Sequence, residues 1–160
     1  MKLNHFFALL RIAMGWMFFW AFLDKLLGLG FATKTTNAWI SGGSPTSGFL
    51  KFATSGPFKT VFEGISGVVW VDWLFMTALL CLGLALILGI ELRLAALGGS
   101  VLLFLMWLAL FPTENSPFLD EHIIYILVLW VLSYGNSGDF WGFGKWWGRT
   151  SLVKNYPILK

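Results

Sequence analysis

Charge is what this sequence has least of. Asp, Glu, Lys and Arg make up only 12% of the chain against 58% hydrophobic residues, and the mean hydropathy is +0.76. Soluble globular domains carry about 25% charged residues. A water-soluble domain of 160 residues has too much surface for its volume to hide so much apolar area. An ordinary soluble domain is therefore excluded, and lipid is the solvent the composition fits. Cysteine is nearly absent. Cys81 is alone, which excludes an intrachain disulfide, a CxxC pair and a thiolate-ligated cluster. Its place in an apolar run predicts a small buried hydrophobe. The formal charge of +3 is small and its cations are dispersed, with no dense Lys/Arg run before the tail; nucleic-acid binding is not expected. No glycine-rich phosphate loop opens a helix, so a tightly held nucleotide is not expected either.

What the chain does contain is long apolar runs and many aromatics, with 10 Trp and 16 Phe, and indole rings favour the membrane–water interface. The runs predict an all-α integral membrane protein, a four-helix bundle forming one domain over 1–160 with spans at about 6–31, 69–90, 94–111 and 118–134. Each is near the ~20 residues that cross a ~30 Å hydrocarbon layer, and runs of that length satisfy their backbone in lipid as helices. The start imitates a signal peptide, but Arg11 interrupts its apolar core and no small-x-small cleavage site follows, so it reads as a retained first span. A tight turn at Gly89 and Glu91 makes the second and third spans an antiparallel hairpin. Ala85-xxx-Gly89, Ala95-xxx-Gly99 and Ala96-xxx-Ser100 would let helix backbones approach closely.

The first loop, 32–67, is too long for a bare connector. Pro57 suits a first helical position, and Phe58, Val61, Phe62 and Ile65 follow a helical rhythm, predicting an interfacial helix in a flap over the outer mouth of the bundle. The tail, 136–160, interleaves Trp141, Phe143, Trp146 and Trp147 with Lys145 and Arg149, as an interfacial segment suited to anionic headgroups does, with simple anchoring expected ahead of recognition of a specific lipid. With both termini on one side, that side holds Lys2, Arg93, Lys145, Arg149, Lys154 and Lys160. The positive-inside rule then predicts a multi-pass plasma-membrane protein with cytoplasmic termini.

Ionisable groups within spans are costly and need partners. Arg11 and Lys25 lie about four helical turns apart and share a face of the first span. Arg11 is expected to snorkel to the inner headgroups, to pair with Glu91, or to bind an anion. Lys25 falls at the level of the second outer turn, where Asp24, Glu114, Asp120 and Glu121 are its natural partners. The start of the fourth span is the densest polar cluster, with Asn115, Asp120, Glu121, His122 and Tyr125. Pro117 and Asp120 read as helix-start and dipole chemistry. His122 and Tyr125 share a face, and a carboxylate beside a histidine can form a proton relay. The topology puts His5 and His122 on opposite sides, so they cannot both ligate one haem, and no spacing suggests a metal site. The remaining redox partner type is a lipid-soluble quinone, which needs an apolar slot, aromatic walls and a proton donor.

The segment Asn115-Ser116-Pro117-Phe118-Leu119-Asp120-Glu121-His122-Ile123-Ile124-Tyr125 resembles a signature of the DoxX/DoxD membrane-protein family. Gly83-Leu84-Ala85-Leu86-Ile87-Leu88-Gly89 followed by Arg93 is similar to the family's second-helix end, and the first span with Arg11, Gly15 and Asp24-Lys25 also fits. The resemblance covers nearly the whole chain apart from the tail. It implies a four-helix bundle and membrane redox chemistry. DoxD-type proteins are associated with thiosulfate:quinone oxidoreductase, which couples thiosulfate to tetrathionate and passes electrons to quinone. On that reading Lys25 and Arg11 would handle anions, His122 with Glu121 would serve a quinone, and Tyr125 would complete the catalytic cluster. A redox partner subunit and a homo- or hetero-oligomer are then expected. Many relatives carry a glutamate early in the second helix, where this chain has Thr77-Ala78-Leu79-Leu80. The alternative is a non-enzymatic scaffold or a lipid-binding module.

Overall fold

The computed structural model describes residues 3–113, 116 and 118–159. Among them the regular structure is helical throughout, without strands. The helices are α1 (Leu3–Leu27), α2 (Ser47–Phe52), α3 (Lys59–Gly64), α4 (Val69–Leu88), α5 (Leu92–Leu110), α6 (Glu121–Tyr134), α7 (Gly144–Trp147) and α8 (Ser151–Asn155). Three of them, α1, α4 and α5, are long and apolar enough to cross a membrane. The fourth expected span is shorter than its apolar run: α6 has 14 residues and starts where the Asp120 side chain caps it. Glu114, Asn115 and Pro117 lie outside the described residues, and with them Glu114 as a partner of Lys25.

The helix ends follow local chemistry. Gly28 takes a left-handed φ of +66° and stops α1 short of Phe31. Gly89, at φ +72°, ends α4 and returns its N–H to the Ala85 carbonyl. Glu91 is also left-handed, at +53°, so the chain reverses within a few residues and α5 runs back along α4.

Packing pairs α1 with α4 and α5 with α6, and the contact of α4 with α5 joins the pairs. The shared core contains Met14 and Phe18 of α1, Leu79, Leu82 and Leu86 of α4, Leu103 of α5, and Leu129 and Leu132 of α6. Glycine sets the closest approach, at the expected Gly99 and at two further positions where the neighbour is backbone. A Cβ on Gly15 would lie 2.8 Å from the Ile87 nitrogen, and one on Gly83 2.8 Å from the Phe19 nitrogen. These two glycines are what allow α1 to cross α4 at backbone contact. Gly99 does face Leu82 and Leu129 across the interface, whereas Ser100 spends its hydroxyl on the Ala96 carbonyl of its own helix. Cys81 is exposed, because the buried stripe of α4 runs through Leu79, Leu82, Gly83 and Leu86. The expectation of a buried thiol is thus corrected.

One end of these helices is closed by the first loop, the other by the tail. Residues 56–65 form a 3-10 turn, Gly56–Phe58, followed by the short α3, in place of one continuous helix. The tail is tied on more tightly than a loose anchor would be. Phe143 donates its backbone N–H to the Leu88 carbonyl at 2.8 Å, and the 3-10 turn Pro157–Leu159 packs against α5.

Candidate functional site

The two ends hold different kinds of polar chemistry. At the tail end, Arg11 is 0% exposed. Its Nη1 donates to the carbonyls of Leu86 and, at 2.9 Å, Ile87, and its Nη2 to those of Phe140 at 3.2 Å and Trp141 at 2.8 Å. Leu86 and Ile87 lie in the last turn of α4, where carbonyls lack helical partners and carry the negative end of the dipole. Arg11 is therefore a clamp joining α1, the end of α4 and the tail. It makes no ion pair with Glu91, and the tail covers it. Any anion would have to displace the tail to reach it. Gly89 and Gly142 make room for the guanidinium: a Cβ on Gly89 would lie 2.9 Å from Nη1, and one on Gly142 3.0 Å from Nη2.

At the loop end, three helix termini hold the first loop. Asp24, 2% exposed, accepts the backbone N–H groups of Phe31, Ala32 and Thr33 at 3.2, 3.0 and 2.8 Å. Asp72, 6% exposed in the first turn of α4, accepts from the hydroxyls of Ser44 at 2.9 Å and Thr46 at 2.5 Å and from the Thr46 N–H at 3.2 Å. Ser55 donates its N–H to Ala109 and its hydroxyl to Leu110, both at 2.9 Å, satisfying carbonyls at the end of α5. Asp72 was not among the residues singled out from the sequence. A lone acid opening an apolar helix reads as dipole chemistry, and its partners, 26 and 28 residues upstream, come near only through the fold.

This fixed loop roofs a cavity of about 630 Å³. Phe49, Leu50, Phe62 and Ile65 of the loop cover it; Leu74, Phe75 and Ala78 of α4 and a strip of α5 from Leu94 to Met106 form its walls. That strip is about 18 Å long at the ~1.5 Å helical rise, so the cavity is an elongated groove. Its lining includes one ionisable residue, Lys25. The Lys25 ammonium lies 5.9 Å from the centroid of the Phe75 ring, a cation–π approach. Among the described residues no close ion pair joins Lys25 to Asp24, Asp120 or Glu121; of the three, Asp24, its neighbour in the chain, still attracts it through space. Asp24 already accepts three backbone bonds, and the other two acids belong elsewhere.

Asp120 and Glu121 line a second cavity of about 530 Å³, with Ser55, Pro112, Thr113, Ser116 and Leu119. The two cavities have no residue in common. The Asp120 Oδ1 caps α6 by accepting the His122 and Ile123 N–H groups at 3.0 and 3.3 Å, and its Oδ2 lies 2.8 Å from His122 Nδ1. His122 is buried at 7% exposure, Glu121 is exposed, and Tyr125 packs against the core. The single acid–histidine cluster thus divides: Asp120 holds His122, Tyr125 turns to the core, and Lys25 belongs to the other cavity. Ligand atoms of Asp120, Glu121 and His122 lie within 4.8 Å of one another, the set among the described residues that could approach a metal ion, although two of its members are already bonded to each other.

A half-buried cation in an apolar groove can bind a molecule that is mostly hydrocarbon with one anionic or hydrogen-bond-accepting head. The Asp120–His122 hydrogen bond lies beside the second cavity, which Asp120 lines. In comparisons with protein-family models, curated proteins and solved structures, nothing matches this chain.

Proposed function

We propose that this protein is a four-span membrane subunit of a quinone-linked oxidoreductase that holds a lipid-soluble quinone in the Lys25 groove. The observation that carries this reading is a single ammonium in an otherwise apolar groove about 18 Å long. A quinone carbonyl would accept a hydrogen bond from Lys25, its ring would lie near Phe75, and its isoprenoid chain would follow α5. In this reading α6, extended by the apolar Phe118 and Leu119, makes the fourth span, α3 lies at the interface and the termini are cytoplasmic. The donor side, thiosulfate on the resemblance, requires a partner subunit, and the Asp120–His122 pair would exchange protons at the second cavity.

The test is saturable binding of a short-chain quinone analogue to the purified full-length protein, followed by tryptophan quenching. Lys25→Met should weaken binding by about tenfold, the worth of one charge-assisted hydrogen bond. Gly98→Phe, which adds a ring where a Cβ meets open space on the groove wall, should block it. Equal binding by all three proteins overturns the reading. Thiosulfate-dependent quinone reduction with a partner subunit tests the chemistry, and unchanged turnover in His122→Ala would remove His122 from it. The second reading, a non-enzymatic lipid-binding module, is favoured by one observation: His122 is held by Asp120, which lines the other cavity. Binding without turnover of any donor would select it.

A further inference from the structure

The formal charge of +3 is concentrated in one segment. Lys145, Arg149, Lys154 and Lys160 stand in the tail against Asp139 alone, while the cations and acids of the rest of the chain are equal in number. The tail is also where large rings remain uncovered, with Trp146 at 65% exposure and Trp141 and Phe143 nearly as open. Lys145, Arg149 and Lys154 are exposed beside them.

This surface is held in place. Arg11 grips the carbonyls of Phe140 and Trp141, Trp147 donates its indole N–H to the Leu159 carbonyl at 2.6 Å, and the His5 ring meets Trp141 edge-on at 5.4 Å. The tail therefore presents a fixed row of rings and cations at the end where α1 and α5 begin and α4 and α6 finish.

We infer that the tail is a binding surface for acidic phospholipid headgroups in the leaflet at that end of the helices. Rings at the level where apolar helices finish insert at the acyl–headgroup boundary, and neighbouring cations meet the phosphates. The continuity of the patch with the apolar helices favours a lipid over an acidic protein. Each near-surface cation contributes about a fivefold preference for anionic lipid, and the rigid backing removes the ordering cost a free tail would incur.

The experiment compares the full-length protein with two triple variants in nanodiscs of phosphatidylcholine mixed with phosphatidylglycerol. The phosphatidylglycerol retained after extraction into mild detergent is measured by mass spectrometry. Wild type should retain it selectively. Lys145→Gln/Arg149→Gln/Lys154→Gln should lose at least about fivefold of that enrichment. Lys34→Gln/Lys51→Gln/Lys59→Gln, which removes equal charge from the opposite end, should keep it. Quenching of tryptophan by brominated phosphatidylglycerol should fall in the tail variant alone, and circular dichroism should be the same for all three. The inference is overturned if the tail variant retains the lipid, if both variants lose it equally, or if the tail variant loses a co-purifying protein while lipid retention is unchanged.

Discussion

Arg11 and Trp141 are joined by a 2.8 Å hydrogen bond from guanidinium to backbone carbonyl across 130 residues of chain. Trp141 has a left-handed φ of +51°, a conformation uncommon for a bulky residue. Its carbonyl is thereby turned towards Arg11 in the same cage as those of Phe140, Leu86 and Ile87. The tail end of the molecule depends on that convergence.

Replacing Arg11 by Met should destabilise the protein by about 3 kcal/mol or more, since several buried carbonyls lose a charged donor together. Lysine should rescue little, because a point charge cannot replace a planar fork bonded in several directions. The check is the thermal midpoint in detergent together with limited proteolysis of residues 136–159. Wild-type stability in both variants would refute the clamp.

Asp72→Ala should release the first loop while leaving α4 helical. Two hydroxyls and one N–H lose their acceptor, at a cost of about 1–3 kcal/mol. Hydrogen exchange should accelerate over residues 44–52 and leave 136–159 unaffected. Exchange that rises evenly over the chain would show that Asp72 does not act on the loop.

Gly83→Val should separate α1 from α4, because its Cβ would press on the backbone of Phe19 rather than on a movable side chain. The expected loss is about 1–3 kcal/mol. Gly98→Val, on the same type of apolar helix but with open space around it, should cost far less. The pair, compared by thermal unfolding, separates close packing from helix propensity, since both variants introduce the same residue.

Asp120→Ala removes the cap of α6 and the partner of His122 at once, so it should cost more than the ~1 kcal/mol of a cap alone. Asp120→Asn keeps an acceptor for the backbone and should recover most of the stability. If the histidine contact has a role beyond stability, turnover or ligand binding will stay impaired in Asp120→Asn. Full recovery of both would assign Asp120 to capping only.

The apolar runs were legible in the sequence because span length and hydropathy are local quantities; the helices α1, α4 and α5 follow them closely. Their stops were legible too where a glycine or a cap fixes them, as at Gly89 and Asp120. The cluster Asp120–Glu121–His122 was visible as neighbours in the chain. What could not be read was which polar groups meet. Depth along the first helix offers Lys25 the acids at its own level, yet depth says nothing about azimuth, and the packing turns it towards Phe75 and the groove.

An apolar helical chain with a charged, aromatic tail and a few costly polar groups inside it is already written in the order of the residues. That followed from composition and periodicity, which need no knowledge of contacts. What those groups do came from the packing of the helices: Arg11 is a clamp, Asp24 and Asp72 anchor the first loop, and Lys25 is the one ionisable side chain lining an apolar groove. The reason is physical. A buried charge takes whichever partners the crossing of helices brings within about 3 Å. Here that crossing is set by Gly15 and Gly83, residues whose importance lies in the neighbours they admit.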